Sequence, residues 1–559
     1  MHEVLRGIGV SPGAVAGPVV RLAPPPPEPP GDGAVVDPGA EAARAGAALA
    51  GVAEFLRARG AAAGGAAAEV LEAQAAVAED PLLREQVAAL VADGRTAARA
   101  VHEGLIAHAA ALREGAAHPG GRVADLDDIR NRAIALLTGA RMPGLPLLRR
   151  PSVLVARDLA PADTAMLDRE KVLGVVTELG GPTSHTAILA KQLGIPAVVA
   201  CPGAAALDDG ANVLVDGSSG EVTVDPSRAA LAGIATRTAA RPQRRPDAGG
   251  PGRTADGTPV ALLVNVGTVA DAVAAADEAS EGVGLFRTEV LYLGRTSAPT
   301  VPEQVESYRA VFEAFAGRRV VIRTLDPGAD KPLPFIGDAG GQNPALGLRG
   351  LRVARRRPEL LTDQLAAIAE AASSGSAEVW VMAPMVSTPA EAAEFVARAR
   401  AVGLSTVGAM VEVPAAALRA AQLLERCDFV SIGTNDLAQY AFAADRTTSA
   451  LADLLDAWQP ALLDLVAAVA DAGRRTGRPV GICGEAAGDP LLALVLVGLG
   501  LRSLSMAPAF LPAVRHALGA HTIDECRDMA KVAREADDAA SARENVRRLV
   551  SPELLAVPS

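Results

Sequence analysis

The chain has 559 residues, half of them hydrophobic but only 3% aromatic, so Ala, Val and Leu must build its interior. At ~150 residues per domain it has room for about three domains. Its formal net charge of −12, from 53 basic and 65 acidic residues, argues against nucleic acid as the principal ligand. A secretory signal is not visible after Met1, the longest apolar run (Leu491 to Leu501) is too short to span a bilayer, and four scattered cysteines (Cys201, Cys427, Cys483, Cys526) have no CxxC spacing, which predicts a cytoplasmic protein with reduced thiols and no membrane insertion.

Val4 to Arg21 reads as short strands around the turn Ser11-Pro12-Gly13, and a Pro-rich break from Pro24 to Pro30 follows. From about Glu41 to Gly139 the chain is Ala-rich and helical in period, with strand signals almost absent. Asp80-Pro81 is expected to open one helix there, and Gly115 to Gly121 to break another. Between Pro151 and Asp225 strand, turn and helix alternate, with strand candidates at Val153–Ala156, Gly174–Thr177, Ala197–Ala200 and Asn212–Val215. A helical block is thus inserted into a small α/β domain. Residues 237–253 form a Pro/Gly/Arg-rich linker suited to letting two bodies move. Eight strand candidates then alternate with helical stretches, at 260–266, 283–287, 319–325, 378–384, 406–411, 428–433, 479–483 and 502–506. Eight β/α units over ~300 residues predict a (β/α)8 barrel; a doubly wound sheet would need a glycine-rich first turn that is not evident.

Gly180-Gly181-Pro182-Thr183-Ser184-His185-Thr186-Ala187 lies between an apolar strand-like run and a helix-like one. The glycines permit a sharp turn, and Thr183 or Ser184 can cap the new helix. His185 would then sit in the first helical turn, where free N–H groups favour an anion and the helix dipole keeps imidazole neutral and nucleophilic.

In the predicted barrel, polar residues at the carboxyl ends of strands face the active site. Those ends read Phe286-Arg287-Thr288-Glu289, Ile322-Arg323-Thr324-Leu325-Asp326, Met410-Val411-Glu412, Gly433-Thr434-Asn435-Asp436 and Ile482-Cys483-Gly484-Glu485, with Arg349 and Arg446 in loops on the same face. Four arginines suit a small anion carrying phosphate and carboxylate, which guanidinium forks pair in bidentate fashion. Glu412 and Asp436 could hold Mg²⁺, an ion that takes oxygen ligands and keeps waters.

With these motifs in this order, the chain resembles the Enzyme I family of the phosphoenolpyruvate-dependent sugar phosphotransferase system. Thr183-Ser184-His185-Thr186, Gly284 to Glu289, Ser431 to Leu437 and Cys483-Gly484-Glu485 carry the likeness, together with the start Gly7-Ile8-Gly9-Val10-Ser11-Pro12-Gly13. The resemblance implies an α/β multidomain chain. A phosphohistidine swivelling domain (residues 1–22 and 145–236) would hold an all-α insertion (23–144) that docks the phosphocarrier protein HPr. The 237–253 linker would lead to a phosphoenolpyruvate-binding, homodimerising TIM barrel (254–559).

It further implies that His185 accepts the phosphoryl group, and that Arg287, Arg323, Arg446, Asn435 and Asp436 bind phosphoenolpyruvate. Arg349 would be a further phosphate-side arginine, Glu412 and Asp436 the Mg²⁺ ligands, and Cys483 the proton donor to the enolate carbon. Glu69, Glu72, Glu79 and Asp80 could meet a basic carrier surface. Pro182, Lys191 and Ala329 depart from the family pattern, which bears on rate and fine geometry. The rival readings are a nucleotide-dependent dikinase or synthase, which needs a nucleotide-grasp domain before the histidine, and a non-turning regulatory paralogue, which the complete residue set disfavours.

Overall fold

The computed structural model describes residues 3–551 except 12, 23–24, 32–34, 64, 116–119, 141, 146–147, 149, 160–162, 164–166, 168–170, 181–185, 188–189, 191–192, 218, 229, 232–249, 293–294, 296, 328–332, 337–342 and 446–447. Backbone contacts divide the chain into two compact units, Met1–Thr238 and Ala239–Ser559.

The first unit carries an eight-stranded sheet. Its strands are β1 (Val4–Arg6), β2 (Ile8–Ser11), β3 (Ala14–Arg21), β4 (Ser152–Ala156), β5 (Val172–Thr177), β6 (Ala197–Val199), β7 (Asn212–Asp216) and β8 (Glu221–Val224), in the order β1-β8-β7-β3-β4-β5-β6-β2. The central strands β3, β4, β5 and β6 run parallel, and antiparallel strands flank them. Both faces are covered, so β4 is buried along its length and apolar after Ser152. Val153 and Val155 enter one core, and Leu154 and Ala156 the other.

Between β3 and β4 the chain forms helices α1 (Pro38–Ala63), α2 (Gly65–Ala78), α3 (Pro81–Ala92), α4 (Ala97–Gly115) and α5 (Gly120–Thr138). In α1, Ala45, Ala48, Leu49, Val52, Ala53 and Leu56 repeat at helical spacing and are buried against Leu71, Leu83, Val101 and Ile129. The expected opening at Asp80-Pro81 is present: the Asp80 carboxylate accepts from Leu82 N at 2.8 Å, capping α3. Fully buried Arg132 of α5 ties this bundle to the sheet domain. It bonds Asp128 at 2.8 Å, the Pro143 carbonyl at 2.9 Å and Asp163 at 3.3 Å, while Arg59 reaches the same Asp163 at 3.1 Å.

The second unit is a closed parallel barrel of β9 (Ala261–Val266), β10 (Gly282–Arg287), β11 (Arg319–Arg323), β12 (Glu378–Ala383), β13 (Thr406–Val411), β14 (Phe429–Ile432), β15 (Val480–Ile482) and β16 (Ser503–Met506). Closure comes from β16 pairing β9, with Ser503 to Met506 opposite Ala261 to Val264. Side chains alternate between two cores. Val320 and Ile322 of β11 and Val381 of β12 pack outward against helices, whereas Val321, Trp380 and Met382 fill the lumen with Leu285, Met410, Phe429 and Cys483. Four of the outer helices begin in reciprocal caps, Thr268 with Asp271, Thr300 with Glu303, Thr388 with Glu391 and Thr522 with Glu525. The long apolar run becomes the helix Pro490–Gly498, buried from Pro490 through Val497. Among the described residues no helix is long and apolar enough to cross a membrane.

Candidate active site

The strand ends converge on the barrel mouth as chemistry-bearing groups. Arg287 and Arg323 are register partners at the ends of β10 and β11. Glu412 follows β13 by one residue, Asn435 and Asp436 lie in the first turn of the helix Thr434–Ala441 after β14, and Cys483 follows β15. Arg349 precedes a short 3-10 turn, Gly350–Arg355, and is 3% exposed.

Asp326, Glu412 and Asp436 are all buried, and each offers a carboxylate oxygen within 4.8 Å of the other two. Burial, then the neighbouring Asp436 and Asp326, push the Glu412 carboxyl up to about 8 against the pull of Arg323 and Arg349. One Glu412 oxygen accepts from Met385 N at 2.6 Å. An all-oxygen donor set with this much crowded negative charge fits a hard divalent cation.

Two arginines offset part of that charge. Arg323 pairs with Glu289 and lies 3.4 Å from Asp326. Arg349 Nε and Nη2 donate to the two Asp326 oxygens at 3.2 and 2.8 Å, and Nη1 and Nη2 to the two Asp436 oxygens at 2.7 and 3.3 Å. Nη1 also donates to the Tyr440 hydroxyl at 3.2 Å, so Arg349 makes five hydrogen bonds with its five N–H groups. Burial pulls both guanidinium groups down, but the carboxylates outweigh it and hold each above its ordinary value. Among the described residues, Arg323 Nε, Glu289 Oε2 and Thr434 Oγ1 are buried at the same mouth without a hydrogen-bond partner.

Cys483 is 2% exposed, its thiol 3.6 Å from the Ile432 carbonyl. Burial pushes the thiol up, only partly opposed by Ser431 and the nearby arginines, so it stays protonated near neutrality. Gly484 is demanded by close approach: a Cβ there would lie 1.8 Å from Thr434 Oγ1 and 2.8 Å from Thr434 N. The side chain of Asn435 accepts from Glu485 N at 3.3 Å, joining the β14 and β15 loops.

Of the residues singled out in the sequence, the barrel brings together Arg323, Arg349, Glu412, Asp436 and Cys483, with Asn435 alongside and Arg287 exposed at its strand end. His185, Arg446, Pro182, Lys191, Ala329 and linker residues 237–249 lie outside the described residues. On the helical block, Glu72 and Glu79 both pair with Arg57, at 3.0 and 2.7 Å, so that acidic patch is partly neutralised. All four cysteines are free and buried.

Three contributors were assigned no role from sequence. Asp326 carries the same strand-end signal as Arg323. Asn265 is the one amide in the apolar run of β9. It donates to the Cys483 carbonyl at 3.1 Å and accepts from Ser505 Oγ at 2.6 Å, a side-chain tie where β15 and β16 share a single register pair. Gln364 sits in an outer helix with no motif to mark it, yet its Oε1 accepts from Leu325 N at 2.8 Å and its Nε2 donates to Thr288 Oγ1 at 3.1 Å and Tyr308 Oη at 3.0 Å. Thr288 in turn donates to the Arg323 carbonyl at 3.0 Å, so Gln364 holds two strand ends at once.

Comparison with known proteins finds three matching family models: the PEP-binding domain of PEP-utilising enzymes over residues 244–522, their mobile domain over 148–220 and their N-terminal domain over 6–116. The chain is similar to a phosphoenolpyruvate-protein phosphotransferase of Streptomyces coelicolor, 50% identical over 99% of this chain and 100% of that one. It is 40% identical to one of Haloferax volcanii, over 85% of this chain and 86% of that one. A multiphosphoryl transfer protein of Xanthomonas campestris is 39% identical over 86% of this chain and 59% of its own length.

Proposed function

The chain belongs to the PEP-utilising enzymes, among the phosphoenolpyruvate-protein phosphotransferases, and on that premise we propose that it moves the phosphoryl group of phosphoenolpyruvate onto its own His185 and then onto a histidine of the phosphocarrier protein HPr, releasing pyruvate as the first step of sugar uptake. Residues 1–22 and 145–236 would be the phosphohistidine domain, 23–144 the carrier-docking insertion, 237–253 the linker, and 254–559 the substrate-binding barrel and homodimer contact.

The observation that best supports this reading is the meeting of arginines, three carboxylates and a protonated thiol at one end of one barrel. Phosphoryl transfer needs in-line placement and neutralised charge more than covalent help. Arg287 and Arg323, side by side at their strand ends, would pair phosphate oxygens, with Arg349, Arg446 and Asn435 completing the grip. Glu412 and Asp436, with Asp326 beside them, would hold Mg²⁺. When bound, such an ion would supply further positive charge to an anionic substrate. When the imidazole nitrogen of His185 takes the phosphorus, the enolate of pyruvate remains. Cys483 then gives its proton to the enolate carbon, and the resulting thiolate recovers a proton from water. A thiol held up by burial suits this role, because it keeps its proton until a carbanion-like acceptor appears.

The test incubates the chain with labelled phosphoenolpyruvate, Mg²⁺ and HPr. Acid-labile label on the chain, its passage to HPr, and pyruvate released without nucleotide are the expected results. Pyruvate formation that depends on AMP or ATP would replace this reading with that of a dikinase or synthase.

A further inference from the structure

Arg349 cannot serve substrate and carboxylates at once in the arrangement seen here. Each of its N–H groups already has an acceptor on Asp326, Asp436 or the Tyr440 hydroxyl. Both Asp436 oxygens, the same ones a cation would need, face this guanidinium at 2.7 and 3.3 Å. A divalent ion held by Asp436 beside that fork would meet a full positive charge a few ångströms away in a buried setting, where such repulsion is weakly screened.

Meanwhile other groups at the mouth stand ready. Among the described residues, Arg323 Nε, Glu289 Oε2 and Thr434 Oγ1 are buried without a hydrogen-bond partner while Arg349 is drawn onto the carboxylates. The backbone carrying Arg349 is also coupled to the acidic cluster. Gly350 has φ +55°, and a Cβ there would lie 2.7 Å from the Cβ and Cγ of Met385, whose N–H donates to Glu412. The Tyr440 hydroxyl donates to the Ala345 carbonyl, linking the Arg349 segment to the helix that bears Asp436.

We propose that Arg349 is a resident counter-cation that exchanges with the divalent ion: it compensates Asp326 and Asp436 while no ion is held, and yields Asp436 when one is. The exchange frees Arg349 N–H groups for the substrate anion, so the guanidinium reaches phosphate only after the cation is in place. This rests on the reading above that Glu412 and Asp436 are metal ligands, and orders the two binding events within it.

The test measures Mn²⁺ affinity of the full chain by electron paramagnetic resonance, without phosphoenolpyruvate. Replacing Arg349→Met removes the competing charge, so Mn²⁺ should bind about tenfold tighter or more. Tyr440→Phe keeps every charge but removes one acceptor that anchors Nη1, so it should tighten binding by roughly twofold to threefold, in line with loss of one modest hydrogen bond. It also covers the case in which Arg349→Met fails to fold for want of the charge that compensates Asp326 and Asp436. Unchanged or weaker binding in the folded variants would overturn the exchange, since an arginine that orients Asp436 for the ion would lose affinity when removed. Glu412→Gln is the control. If wild type and Glu412→Gln bind Mn²⁺ alike, the ligand assignment itself is wrong and the exchange falls with it. Weaker binding in Glu412→Gln with no tightening in Arg349→Met rejects the exchange alone.

Discussion

Gln364→Leu removes a buried amide while keeping most of its volume, and its effect can be worked out from the hydrogen bonds it makes. The side chain is 1% exposed, and its Oε1 accepts from Leu325 N at 2.8 Å in the segment joining Arg323 to Asp326. Leucine would strand that amide proton, at about 2 kcal/mol for an unsatisfied buried donor. Thr288 and Tyr308 would each lose one hydrogen bond but keep another, to the Arg323 carbonyl and to Gln304 Oε1. Those losses add roughly 0.5 kcal/mol each, giving a destabilisation of about 3 kcal/mol for the barrel's unfolding transition in urea. Because the freed segment ends in Asp326 and begins in Arg323, the KM for phosphoenolpyruvate should rise in the same variant, and Thr288→Val should reproduce part of that rise. A barrel within about 0.5 kcal/mol of wild type, the usual scatter of surface substitutions, and with unchanged KM would refute the claim that this amide sets the strand ends.

Cys483→Ala should slow pyruvate formation by about a hundredfold or more, the usual worth of a positioned general acid, while Mn²⁺ affinity stays within error; equal turnover would remove its acid role. Gly484→Ala brings a methyl group onto Thr434, whose backbone N would be 2.8 Å away, so the Cys483 loop must move. Turnover should fall by about a hundredfold, as for a catalytic group displaced by ~1 Å, and near-normal turnover would contradict this contact. Glu412, raised from 4.5 to about 8 in the folded barrel, keeps a proton there that the unfolded chain has released. That contribution to stability is complete below pH 4.5 and is lost as pH rises toward 8, so without divalent ions the urea midpoint should drop across this window. A midpoint that climbs there would reverse the assignment.

The barrel was legible because strands buried on both faces are near-continuous apolar runs. The 283–287 and 406–411 candidates became Gly282–Arg287 and Thr406–Val411, within a residue of expectation. β8 (Glu221–Val224) escaped, since four residues with two polar ones between turns leave little period to read. Strand-end position was also enough to single out Arg323, Glu412, Asp436 and Cys483. What each does with its neighbours was not readable. That Arg349 lies on Asp326 and Asp436, residues 23 and 87 positions away, is a product of barrel closure. Gln364 acts through the backbone of another strand, a role that no residue pattern along its own helix could disclose.

Peptide mapping of the chain after brief exposure to phosphoenolpyruvate and Mg²⁺ locates the phosphoryl group. A single acid-labile phosphoryl group is expected on the peptide containing His185, absent from His185→Ala while that variant remains folded. Label at another residue, or label that survives in His185→Ala, would contradict it.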